Sequence, residues 1–174
     1  MPFVKSASTS VPSSRSQAEL EKTLRRYGCT GFGTHADYTA HRVAVNFRVP
    51  DTQQKDAPQV PVRLVVDFLA VYDALYGRPM KRRWVNDEYV TEHDPKGYGE
   101  KGLEQAERVA WRQLILWVDA ACSAAAAGLQ PMSEAFFAHT LVRNADGETL
   151  RMVDHLNAVA PGHEWRALLT AGDA

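Results

Sequence analysis

The chain is short of cysteine, of net charge and of any catalytic signature, and each shortage narrows what it can be. Two cysteines in 174 residues, Cys29 and Cys122, cannot build the disulfide framework of a small secreted domain. Cys122 falls in an apolar run, where a free thiol packs as a small hydrophobe, so a reducing cytoplasm is the expected compartment. A formal net charge of -1 gives no global attraction to nucleic acid or anionic lipid, and binding of either must come from a local patch. The opening segment MPFVKSASTSVPSSRS lacks the apolar stretch of a secretory signal, so no export is expected. The longest apolar stretch, residues 109–128, contains Arg112, Gln113, Asp119 and Ser123. A bilayer span needs about 20 predominantly apolar residues, so this stretch predicts a buried helix and no membrane partner.

Motifs for cofactors and nucleophiles are also missing. Gly28, Gly31 and Gly33 follow a helix and open a strand, the reverse of the order that a phosphate-cradling loop requires. The serines at 6, 8, 10, 13 and 14 lie in a Ser/Pro-rich tail rather than in a strand-to-helix elbow. Cys29 sits at a helix-to-strand junction with nothing to activate it. No cofactor is expected, and an enzymatic role has little residue-level support. One metal reading stands as an alternative: His35, Asp37 and His41 lie close in sequence, and imidazole with carboxylate suits zinc or a non-haem metal in a hydrolase or nuclease. Competing with it is the plainer reading of polar residues in a hairpin loop. Glu92, His93 and Asp94 are adjacent in a loop and less apt to converge.

What is present is an ordinary soluble composition, 45% hydrophobic and 24% charged, enough to fold one domain with a core. Residues 1–15 read as a disordered tail and 16–174 as a single α+β domain. Ser16 and Glu19 have the spacing of a capping box, with Leu20, Leu24 and Tyr27 at helical intervals and Gly28 as terminator. Strands are expected over 29–35, 42–49 and 62–69. In the second, Val43, Val45, Phe47 and Val49 alternate with Arg42, Ala44, Asn46 and Arg48. Residues 103–129 read as one long helix closed by Gly128, and 140–144 with 149–152 as a hairpin across an Asp-Gly turn. The pattern predicts a mainly antiparallel sheet of three to five strands, packed against the N-terminal helix and one long buried helix. Residues 72–101, rich in Gly, Pro, charge and aromatics, read as a long surface loop, and loops of that length are usually functional or disordered.

Basic residues give the most specific functional lead. Arg42, Arg48 and Arg63 are expected on the outer face of the sheet, and Arg78, Lys81, Arg82, Arg83 and Trp84 form a basic and aromatic group in the loop. Guanidinium and ammonium groups bind phosphate, and a ring stacks on an unpaired base for ~1–3 kcal/mol. The plain alternative is a solvated charged surface, because Asp87, Glu88, Glu92 and Asp94 follow at once. The small side chains Ala120, Ala121, Ala124, Ala125 and Ala127, and a stripe of Trp111, Leu114, Val118 and Cys122, offer helix contacts inside a monomer or across a homodimer.

Arg25, Arg26, Tyr27 and Gly28 followed by Phe32, a Val-rich strand with Phe47, then Glu107, Arg108, Trp111, Arg112, Leu114, Gly128, Phe136 and Phe137 resemble an uncharacterised family of small proteins in tailed phages and prophages, often of actinobacteria. This resemblance covers residues 16–49 and 103–150, and it implies a phage or prophage origin without supplying an activity or catalytic residues. Glu104 and Glu107 depart from the more basic start of the corresponding helix. The resulting expectation is a phage-type accessory protein, non-enzymatic and macromolecule-binding, with nucleic acid as the preferred partner. A protein-interaction module acting on a host or phage protein is the alternative.

Overall fold

The computed structural model describes residues 6–51, 58–86, 88–144 and 146–159. Along them run α1 (Ser13–Arg26), β1 (Thr30–Asp37), β2 (Arg42–Pro50), β3 (Gln59–Asp67), α2 (Phe68–Tyr76), β4 (Met80–Val85), β5 (Glu88–His93), α3 (Glu100–Ala126), α4 (Met132–Ala135), a 3-10 turn (Phe137–His139), β6 (Leu141–Arg143), β7 (Thr149–Arg151) and α5 (Met152–Val159). The class is α+β with antiparallel pairing. Three strands form a sheet in the order β1-β2-β3, while β4 pairs β5 and β6 pairs β7 in separate two-stranded ladders. Contacts divide the chain into two compact units. The first comprises Met1–Thr23, His35–Ala44 and Val65–Asp119, the second Leu24–Thr34, Val45–Leu64 and Ala120–Ala174. Neither is a continuous stretch, because α1, the three sheet strands and α3 each contribute to both.

In the first unit the core holds Leu20, Val43, Val109, Trp111, Ile115 and Val118, all buried. The helix from Glu100 buries Ala106, Val109, Ala110, Trp111, Ile115 and Val118, each of them three or four residues from another of the set. Arg112 reaches Glu19 of α1 at 2.6 Å. The second unit buries Val45, Phe47 and Val49 of β2 and Val62 and Leu64 of β3 with Phe136, whose ring meets Phe47 edge-on at 5.4 Å. Alternation along β2 is as the sequence predicts, with Val43, Val45, Phe47 and Val49 buried and Arg42 and Arg48 exposed.

Several local expectations are corrected. The capping box is not formed: α1 starts at Ser13, one turn earlier, so Ser16 is an interior helical position that is fully buried. The predicted tail at 1–15 therefore already contains the first turn of α1. Ahead of it the Gln105 amide donates to the carbonyls of Ala7 and Thr9 at 2.8 and 3.1 Å; residues 1–5 lie outside the described residues. The third strand ends at Asp67, whose carboxylate caps α2 by accepting from the amides of Leu69 and Ala70. Most consequentially, the predicted surface loop at 72–101 contains the end of α2 and the β4–β5 hairpin. Among the described residues no helix is long and apolar enough to cross a membrane.

Candidate nucleic-acid interface

Between α2 and α3, within the first unit, β4 and β5 pair antiparallel with Met80 opposite His93, Lys81 opposite Glu92, Arg82 opposite Thr91, Arg83 opposite Val90, Trp84 opposite Tyr89 and Val85 opposite Glu88. At the connection, Asn86 has φ 48°, a left-handed conformation that asparagine tolerates and tight hairpin turns require. Directly opposite residues share a face, and faces alternate along a strand. One face therefore carries Met80, Arg82, Trp84, Tyr89, Thr91 and His93, and the other Lys81, Arg83, Val85, Glu88, Val90 and Glu92.

This separation sorts the charges. The two strand glutamates, Glu88 and Glu92, lie on the second face, where Glu92 pairs with Lys81 at 3.5 Å. On the first face Trp84 and Tyr89 are 56% and 67% exposed and meet edge to face, with ring centroids 4.5 Å apart. The Arg82 guanidinium lies 5.4 Å from the Tyr89 centroid, and Arg82 makes no ion pair among the described residues. Two large exposed rings beside an uncompensated guanidinium form a surface that water solvates poorly on the rings and that attracts anions at the arginine.

The open end of the hairpin is tied down. Asp94 donates its amide to the Pro79 carbonyl at 2.9 Å, and a Cβ on Gly97 would come within 2.6 Å of the Pro79 ring, so the chain closes here only with glycine. Beyond it the Tyr98 hydroxyl donates to Asp73 of α2 at 3.0 Å and lies 3.2 Å from Nε2 of His93, while Arg78 holds the other Asp73 oxygen at 3.3 Å. Tyr72 packs edge-on to Tyr98 and accepts from the Gly99 amide. His93, on the ring-bearing face, is thereby joined to α2 through Tyr98.

Burial and the Asp73 hydrogen bond raise the Tyr98 phenol above its ordinary value, against a smaller opposing effect of Arg78. A raised value means that the fold favours the protonated phenol. Its stabilisation is complete below the ordinary value of about 10 and is lost as pH rises through the higher folded value. Parent protein should therefore lose stability faster than Tyr98→Phe above about pH 10, measured as the difference in thermal midpoint between the two. Parallel curves would disprove the linkage.

The eight residues singled out in the sequence are divided between the two units. Arg42 pairs with Asp67 at 2.9 Å in the first unit. Arg63 donates to Asn46 at 2.8 Å, and Arg48 lies over Gly31, both in the second unit. Arg78 is held by Asp73 and Lys81 by Glu92. Arg82 and Trp84 share a face; Arg83 is on the opposite one. Sequence reasoning did not place Met80, Tyr89, Thr91 and His93 beside Arg82 and Trp84, with which they form the ring-bearing face. The signal that marks them is the alternation at 80, 82, 84 and 89, 91, 93 around Asn86. Of the residues in the metal alternative, Asp37 uses Oδ1 to accept from the amides of Thr39 and Ala40, both at 3.0 Å, and no group of three potential metal ligands is formed among the described residues. In comparisons with protein-family models, curated proteins and solved structures, the chain matches none.

Proposed function

We propose that this is a non-enzymatic nucleic-acid-binding protein that takes single strands on the hairpin face formed by Arg82, Trp84 and Tyr89. The observation that carries the proposal is the sorting of the hairpin's charges, with two exposed rings and an arginine on one face and both glutamates on the other. An unpaired base offers its face to a ring, whereas in a duplex those faces are already stacked, so the surface favours single strands. Arg82 supplies a phosphate contact, which gives salt dependence without sequence selection. The role of phage-type accessory protein in the host cytoplasm rests on the resemblance of residues 16–49 and 103–150 and on the cysteine content.

The test is a fluorescence-anisotropy titration of single-stranded DNA, duplex DNA and single-stranded RNA at two salt concentrations, on protein cleared of co-purified nucleic acid. Salt-sensitive binding with single strands ahead of duplex is expected; no binding at low salt would overturn the proposal and direct the search to protein partners. Lys81→Ala is the internal control. Lys81 lies on the opposite face and faces Glu92, and an exposed paired charge contributes under ~1 kcal/mol. Affinity in this variant should remain within about fivefold of the parent.

A further inference from the structure

Both cysteines lie in the second unit. Cys29 stands between α1 and β1 and Cys122 near the end of α3. Both are unoxidised thiols buried in the core, 5% and 0% exposed. We propose that Cys29 and Cys122 are a peroxide-responsive dithiol, which oxidation converts to a disulfide within one chain and an external thiol restores.

The fold brings the two sulfurs together by identifiable bonds. Gly28, at φ 80°, donates its amide to the Arg25 carbonyl at 3.1 Å, and the Cys29 amide donates to the Leu24 carbonyl at 3.0 Å. This left-handed turn, which favours glycine, fixes Cys29 against the last turn of α1. Cys122 belongs to the buried series Val118, Cys122 and Ala125 of α3, so its thiol lies in the core. It follows Cys29 by 93 residues, the same separation as that of Arg112 from Glu19, which α3 and α1 bring together in the first unit. The Cys29 and Cys122 thiols are in hydrogen-bond contact. To bond, the sulfurs must close by about 2 Å to an S–S length of about 2.05 Å, a movement that side-chain rotation supplies.

Burial selects the oxidant. A bulky disulfide cannot reach either sulfur, whereas hydrogen peroxide is close to water in size, and Cys29 is the partner with exposed surface. The hydrogen bond with Cys122 holds the Cys29 thiol below its ordinary value, against the opposing effect of burial, which raises the thiolate fraction that attacks. The Cys29 thiolate attacks one peroxide oxygen, the O–O bond breaks, hydroxide leaves and Cys29 becomes a sulfenic acid. The Cys122 sulfur then attacks the Cys29 sulfur. The S–S bond forms, the S–O bond breaks, and the hydroxyl leaves as water with the Cys122 proton. Two thiols and one peroxide give one disulfide and two waters, the peroxide taking both electrons.

The test treats folded parent protein with a few equivalents of hydrogen peroxide, quenches with catalase, unfolds the chain in iodoacetamide and maps it by mass spectrometry without reduction. One disulfide joining the Cys29 and Cys122 peptides of monomeric protein is expected, with neither cysteine alkylated, and dithiothreitol added before unfolding should restore alkylation of both. In Cys122→Ala the Cys29 sulfenic acid has no thiol to capture it, so dimedone should trap it several times more than in the parent. A parent chain that keeps both thiols alkylatable, or that forms the disulfide only between chains, would overturn the proposal. So would equal dimedone trapping in parent and variant.

Discussion

Replacing Trp84 with alanine should weaken binding of an unpaired oligonucleotide by about 5- to 150-fold, the equivalent of one lost base-stacking contact of ~1–3 kcal/mol. Trp84 is 56% exposed and its ring contact in the hairpin is with Tyr89, so the folded protein loses little by the change and the deficit reports on binding. Trp84→Phe keeps a smaller π surface and should fall between parent and alanine. Arg82→Ala should act differently. Removing one phosphate contact flattens the slope of log affinity against log salt by about 0.7 on a single strand, whereas removal of a neutral ring leaves that slope unchanged. Two variants on one face with opposite signatures, affinity without slope and affinity with slope, separate stacking from charge. If Trp84→Ala bound as the parent does, or if Lys81→Ala on the opposite face lost as much as Arg82→Ala, the assignment of the face would be wrong.

The hairpin was hidden in the sequence for a physical reason. Alternation of apolar with polar residues reveals a strand when one face is buried, and β2 has that character, with Val43, Val45, Phe47 and Val49 inside. Strands β4 and β5 have both faces largely in solvent. Their alternation is instead between rings and charged pairs, and the dense run of Lys81, Arg82 and Arg83 masks it. The tie that holds the hairpin, Tyr98 to Asp73 across 25 residues, lies beyond any local window.

The start of α1 shows the opposite error, a local pattern that matched too well. Ser16 and Glu19 have the spacing of a capping box, yet the Glu19 carboxylate goes to Arg112 of α3, a tertiary partner 93 residues away. The long helix was legible because its apolar positions recur at three and four over many turns, a period that few other structures produce. Of the candidate site, the sequence supplied Arg82 and Trp84. It could not supply the face they share with Tyr89, because pairing register depends on where the turn falls.

Phe136→Ala should lower the free energy of unfolding by about 3–5 kcal/mol, the range for deleting a large buried aromatic side chain, and the same change at the next residue should cost about 0.5 kcal/mol or less. The two phenylalanines are indistinguishable as sequence. In the structure Phe136 is 0% exposed and meets Phe47 edge to face at 5.4 Å, whereas Phe137 is 53% exposed. The large cost has two parts. Apolar surface is returned to water, and a void is left beside Phe47 of β2, whose inward neighbours along the strand, Val45 and Val49, are themselves fully buried and have little room to collapse into it. The edge-to-face contact adds ~0.5–1.5 kcal/mol beyond the area buried. Phe136→Leu refills most of the volume without the ring contact and should cost less than alanine. Urea unfolding followed by far-UV circular dichroism reads all three variants. A midpoint for Phe136→Ala no lower than that for Phe137→Ala would show that this ring does not close the core of the second unit. The expected order, Phe136→Ala well below Phe136→Leu and Phe137→Ala near the parent, would confirm that the 3-10 turn at Phe137–His139 directs one ring of the pair inward and leaves the other in solvent.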